Sequence, residues 1–162
     1  MSNLMLFTDG SVNTKSKIGF GAFLAVGENE LDHDSLNVKV KRFKNTSSTK
    51  LELQTLLWAL GELQEFKGRI VVYTDSQNIV GLLGRRERLE QNNYRSSKGK
   101  LLNNYELYQE FYRITDQMDC EFVKVRGHLV SKKKDEIDNL FTLVDRASRK
   151  ALKKENLLPG IH

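Results

Sequence analysis

Two hydrophobic periods alternate along the chain and predict its elements. Residues 4–8 are a short apolar run closed by Asp9-Gly10, which reads as a strand ending in a turn. Residues 20–26 and 36–43 read as two further strands, with Gly27-Glu28-Asn29 turning the chain between them. These three strands make an antiparallel meander. In residues 49–65 the period changes: Leu53, Leu56, Leu57, Leu60 and Leu63 fall on one helical face, and Ser48 or Thr49 can cap the start. Residues 70–73 are continuously apolar, as a strand covered on both faces should be. Ser76 can cap a helix running to about Leu83. The polar, basic stretch 84–100 reads as a loop or short irregular helix, 101–117 as a helix, 120–125 as a strand and 137–154 as a final helix.

The order βββ, α, β, α, α, β, α predicts an α/β fold with a mixed five-stranded sheet, three antiparallel strands followed by two parallel ones, flanked by helices. The 162 residues suit one domain, taken as 1–155 with a tail at 156–162. Hydrophobic residues make up 39% and charged residues 29%, an ordinary globular composition. The single cysteine, Cys120, excludes an internal disulfide. Residues 1–7 lack a secretory pattern, and no apolar run approaches the ~20 residues of a membrane span, so a cytoplasmic protein without a membrane partner is expected. A monomer is the default expectation.

Net charge is +5 and the pI about 9.3, which allows attraction to a phosphate backbone. The positive charge is concentrated in Arg85, Arg86, Arg88, Arg95, Lys98 and Lys100, and again in Lys132, Lys133 and Lys134.

Candidate chemistry lies in the carboxylates. Ligands of such sheets bind beyond the carboxyl ends of the strands. Asp9 follows the first strand in Phe7-Thr8-Asp9-Gly10-Ser11, and Asp75 follows the fourth in Tyr73-Thr74-Asp75-Ser76-Gln77. If those strands are parallel neighbours, both acids emerge on one rim. Glu52, placed in the first turn of the first long helix, is also explained by the helix dipole. Asp145, on the last helix, is also explained as a solvated acid paired with Arg149 at i+4. Clustered carboxylates raise one another's pKa unless a cation compensates, and all-oxygen ligands favour magnesium or manganese over zinc. His33, His128 and His162 are too scattered to suggest zinc.

At these positions the chain resembles the ribonuclease H type 1 family over nearly its whole length. Phe-Thr-Asp9-Gly-Ser resembles the family's first-strand motif, Leu-Glu52-Leu its Met-Glu-Leu element and Tyr-Thr-Asp75-Ser-Gln its Thr-Asp-Ser motif. Val-Arg-Gly-His128 resembles its Lys-Gly-His loop, and Val-Asp145-Arg-Ala-Ser-Arg its last helix. Asn104-Tyr105-Glu106-Leu107-Tyr108 is similar to the start of another family helix. Each motif is short; their order and spacing carry the resemblance.

The resemblance implies hydrolysis of the RNA strand of an RNA–DNA hybrid to 5′-phosphate and 3′-hydroxyl products. It implies that Asp9, Glu52, Asp75 and Asp145 hold two magnesium ions, for which manganese can substitute, one activating water and one stabilising the leaving oxygen. It implies that His128, on a mobile loop, assists proton transfer or product release. Gly10, Ser11 and Gln77 match positions that read the RNA 2′-hydroxyl, and Arg85 to Lys100 stands where many members carry a basic protrusion gripping the hybrid through residues such as Arg85, Arg86, Arg88, Arg95 and Lys98. Tyr94 within it can stack or pack.

The chain also departs from the family. The usual Gly-Asn-Pro-Gly turn is Val12-Asn13-Thr14-Lys15-Ser16-Lys17, and the paired asparagines before the catalytic Glu are Ser48 and Thr49, on the RNA-contacting surface. The stretch from His128 to Asp145 is long, and Asp138 stands nearer the usual spacing, yet the surroundings of Asp145 fit the family helix better. Two other readings stay open: a DNA-directed metal nuclease on the same fold, and a non-catalytic hybrid-binding module.

Overall fold

A computed structural model describes residues 3–27, 36–125 and 132–157, the side chains of 132–135 excepted. It contains a five-stranded sheet of order β3-β2-β1-β4-β5, formed by β1 (Leu4–Asn13), β2 (Ile18–Gly27), β3 (Lys39–Phe43), β4 (Ile70–Thr74) and β5 (Cys120–Lys124). The β1–β2 and β2–β3 pairs are antiparallel, and β1–β4 and β4–β5 are parallel, as the element order predicts. The helices are α1 (Ser48–Glu62), α2 (Gln77–Val80), α3 (Leu82–Gln91), α4 (Tyr105–Thr115) and α5 (Lys132–Asn156). Among the described residues no helix is long and apolar enough to cross a membrane.

Strand side chains alternate between faces, so the sheet supports two cores. Leu6, Phe23, Ile70 and Val72 pack with Leu53, Leu56 and Leu60 of α1 and Phe111 of α4. Met5, Phe7, Leu24, Val71 and Tyr73 pack on the other face with Leu140 and Val144 of α5. All of β4 is buried, matching the continuous apolar run in its sequence.

Several predicted boundaries move. β1 does not end at Asp9-Gly10; it runs on to Asn13, and the chain reverses over residues 14–17. Asn13 Oδ1 accepts hydrogen bonds from the amides of Lys15 and Ser16, and Lys17 adopts a positive φ of 59°. Gly10 serves packing rather than a turn, because a Cβ there would lie 2.8 Å from Leu51 Cδ2. α1 is capped by Ser47, which accepts from the amide of Lys50, rather than by Ser48 or Thr49. The buried Thr46 decides this: its amide donates to the Lys17 carbonyl and its hydroxyl to Gln54 Oε1 at 2.7 Å, anchoring the chain before the helix. Glu52 consequently lies in the second turn, where the dipole effect is weaker.

β3 is shorter than its apolar stretch: Leu36 and Val38 pack on the second core without joining the ladder. The basic stretch after Leu83 is more ordered than its composition predicts. The backbone breaks at Gly81 and continues as α3, because Leu82 is buried and Leu89 packs on the first core. Tyr94 is buried rather than free to stack, and its amide and carbonyl bond Leu89 and Leu102. That closed segment delays α4 to Tyr105. α5 begins before the predicted Ile137.

The approach of α1 to β2 is close. An added Cβ at Gly21 would lie 2.0 Å from Thr55 Oγ1. We expect Gly21→Ala to destabilise the fold by roughly 1–3 kcal/mol in urea unfolding, with Thr55→Ala restoring part of the loss. Unchanged stability in Gly21→Ala would show that α1 is not seated on β2 as described.

Candidate active site

The site forms where two parallel strands part. β1 and β4 stay in register through Phe7 and Tyr73; β4 ends one residue later, while β1 continues along β2. Thr8, Asp9, Glu52, Thr55, Thr74 and Asp75 line the cleft that opens there. Asp9 enters from mid-strand, Asp75 from just beyond β4 and Glu52 from α1. α5, packed on the opposite face of the sheet from α1, adds Asp145, whose side chain hydrogen-bonds Asp9.

Burial and like charges together set the electrostatics. Burial pushes the Asp9 carboxyl up to about 8, and the Asp75 charge and the Asp145 hydrogen bond push the same way, against a backbone contact at Gly10. The raised pKa favours the protonated Asp9 carboxyl, whose O–H can donate a hydrogen bond to the Asp145 side chain. Glu52 is also raised by burial and by Asp75, while the Ser76 hydroxyl opposes the shift. Ser76 Oγ donates to Glu52 Oε2 at 2.6 Å and accepts from the Ile79 amide at 3.2 Å, so one hydroxyl caps α2 and fixes the α1 acid. Asp145 also pairs with Arg149 Nε at 2.9 Å. The Asp145 side chain thus makes the expected i+4 pair and also reaches Asp9. Asp138 lies two helical turns earlier, roughly 10 Å along the axis. Among the described residues no three donors already surround one point as a preformed metal cage.

The structure brings together Asp9, Glu52, Asp75 and Asp145, with Gln77 at the first position of α2. Gly10 is covered by Leu51, and the Ser11 hydroxyl shares a 3.0 Å hydrogen bond with that of the buried Ser148. Ser48 and Thr49 are exposed in the first turn of α1. His128 lies outside the described residues, as do the side chains of Lys132, Lys133 and Lys134.

The arginines of the basic segment differ in their freedom. Arg85 Nη2 donates to the carbonyl and side-chain oxygens of Asn78, and Arg95 donates to the Gly99 carbonyl. Arg86 forks onto Asp116, pairs with Glu90 and lies over the Tyr112 ring. Among the described residues, the exposed Arg88 and Lys98 have no acidic partner. Sequence reasoning missed the roles of Ser76 and Ser148 beside the acids and the position of Lys124, which donates to Gln77 Oε1. The only local signal was the cap position of Ser76.

A mixed five-stranded sheet with acids gathered at the parting of its central parallel pair defines a recognisable class, and residues 1–152 match the family model described as RNase H. The chain belongs to the RNase H family. It is 26% identical over 157 residues to the Ribonuclease H of Caldicellulosiruptor saccharolyticus, spanning 95% of this chain and 99% of the relative. The solution structure of the PFV RNase H domain is similar with a TM-score of 0.67 at 16% identity, covering 91% of this chain and 95% of that one. The foamy viral protease-reverse transcriptase in complex with RNA/DNA hybrid gives 0.62 at 10% identity, covering 91% of this chain and 20% of that one. These two likenesses show the fold.

The raised pKa of Asp9 has a consequence for stability without metal. Its folded pKa of about 8 exceeds the ordinary 3.8, so between those values the folded chain holds a proton that the unfolded chain has released. Stability must then fall as pH rises through that window. Urea unfolding in chelator should show this decline between pH 5 and pH 8 (roughly the span of the shift), and Asp9→Asn should flatten it. Equal pH slopes in both proteins would remove Asp9 burial as the cause.

Proposed function

We propose that the chain is a divalent-metal-dependent endonuclease that hydrolyses the RNA strand of RNA–DNA hybrids, leaving 5′-phosphate and 3′-hydroxyl ends. The observation that carries the proposal is the gathering of Asp9, Glu52 and Asp75 in one cleft, with Asp145 bonded to Asp9. Family membership supplies the substrate class.

The donor chemistry fits a metal. Four carboxylates crowd together, and Asp9 answers by keeping its proton. A divalent cation held by these carboxylates would offset their charge and favour their ionised forms. Among the described residues the lining contains neither sulfur nor imidazole, so magnesium suits it, with manganese as substitute. Asp9, Glu52, Asp75 and Asp145 would hold two ions. Bound metal supplies Lewis-acid charge at the scissile phosphate and lowers the pKa of a water nucleophile.

The protein's own groups orient these acids and the substrate. Ser76 holds Glu52 toward the cleft, and Arg149 pairs with Asp145. Gly10, Ser11 and Gln77 stand beside the acids, where the RNA 2′-hydroxyl would be read. Arg88 and Lys98 offer free cations to a phosphate backbone, and His128 would serve proton transfer or product release.

The direct test uses labelled RNA in an RNA–DNA hybrid, with RNA and DNA duplexes for comparison, in magnesium, manganese or chelator. Cleavage confined to hybrid RNA and dependent on metal is expected. Asp75→Asn should lower turnover by more than about 100-fold while the protein stays folded, since even outer partners of a metal ligand matter 10–100-fold. Cleavage of DNA duplex alone, or full activity in Asp75→Asn, would overturn the assignment.

The free cations give a separate expectation. Replacing Arg88 and Lys98 together with Gln should weaken hybrid binding and reduce the slope of log affinity against log salt by about 2. An unchanged slope would place the hybrid elsewhere on the surface.

A further inference from the structure

Lys124 occupies a rim position that the catalytic reading leaves unused. It ends β5 in register with Thr74, the residue before Asp75, one strand spacing of about 4.8 Å away. Alternation along β5 turns Cys120 and Phe122 toward the α1 core and Val123 toward the α5 core, which puts Lys124 on the α1 side. From there its Nζ donates to Gln77 Oε1 at 2.9 Å. The backbone of Gln77 is already held, because Ser76 caps α2 and bonds Glu52. What remains free is the rotation of the Gln77 amide, and this is the freedom that Lys124 removes.

The chemistry of the contact has one sense. An ammonium has donors and no acceptor, so only the carbonyl end of the amide can face it. The N–H2 end is thereby turned to the other side, as a donor. We infer that Lys124 is a positioning residue that locks Gln77 as a donor toward the minor groove of the hybrid and keeps strand cutting independent of base sequence. The inference rests on the hybrid-cutting function proposed above. Every base pair offers an acceptor in the minor groove, purine N3 or pyrimidine O2, whereas guanine alone adds a donor, its N2–H2. An amide presenting its N–H2 meets an acceptor at any sequence. The same amide reversed presents a carbonyl, for which guanine is the preferred base. The 2′-hydroxyl both donates and accepts, so it tolerates either orientation and cannot set it. Base preference therefore reports the state of the amide.

The test reverses the polarity of the contact. Lys124→Glu substitutes an acceptor, which attracts the amide N–H2 and turns the carbonyl outward; Lys124→Arg keeps a donor. Each protein is given a pool of RNA–DNA hybrids of randomised sequence. Cut sites are sequenced after reaction in magnesium, and bound molecules are sequenced after selection in chelator, so the second readout needs no turnover. The native protein and Lys124→Arg should show no base preference at the register facing Gln77. Lys124→Glu should enrich guanine there about fivefold, the scale of one base-specific hydrogen bond. That enrichment should vanish in Lys124→Glu combined with Gln77→Ala. A flat profile for Lys124→Glu in both readouts, or an enrichment that survives Gln77→Ala, overturns the role of Lys124. If the native protein neither binds nor cuts hybrid, the hybrid-cutting function falls and the inference with it, an outcome distinct from the other two.

Discussion

β1 is paired on both edges and covered on both faces, and the other elements take their places from it. β2 and β4 flank it, while α1 and α5 press on its opposite sides through Leu6 and through Met5 and Phe7. A strand in that position has nowhere to slip, because a shift of one residue would exchange its two buried faces. Asp9 is the next residue on the α5 side after Phe7. The register that buries Met5 and Phe7 therefore also delivers a carboxylate to the point where β4 stops. The apolar core and the acidic cleft are consequences of one alignment.

The cleft works against the stability of the fold around it. Carboxylates from β1, α1, α5 and the end of β4 meet there, and burial, ahead of their mutual repulsion, raises the Asp9 pKa. Such arrangements are kept where a ligand compensates, and they concentrate at functional sites. The contacts that hold the acids meanwhile are modest: a serine hydroxyl on Glu52 and a largely exposed arginine on Asp145.

Surface charge on this chain has two uses that composition cannot separate. Arg86 joins α3 to α4 through Asp116 and the Tyr112 ring, and Arg85 ties α3 back to α2 at Asn78. Arg88 and Lys98, close by in sequence, are free. Part of the basic segment thus ties helices together, and part of it has no acidic partner among the described residues. Lys124 belongs to neither group; its value lies in the direction it imposes on a neutral neighbour.

The order of strands, the sheet class and the family were legible in the sequence by itself, and the four acids were singled out there as candidates. They depend on short-range regularities: the continuous apolar run of β4, helical spacing of leucines in α1 and Thr-Asp pairs at matching places in two strands. Tertiary structure decided what depends on partners distant in the chain. Asp9-Gly10 resembles a turn locally, yet Leu51 needs the bare glycine and β2 continues the ladder. Ser47 rather than Ser48 caps α1 because Thr46 is anchored to Lys17 and Gln54. The proton on Asp9 reflects neighbours from α5 and the end of β4, and the orientation of Gln77 reflects a lysine 47 positions away. Propensity and periodicity sum over neighbours in sequence. Desolvation, charge and hydrogen bonding act through space, and they become defined only once the sheet has brought those residues together.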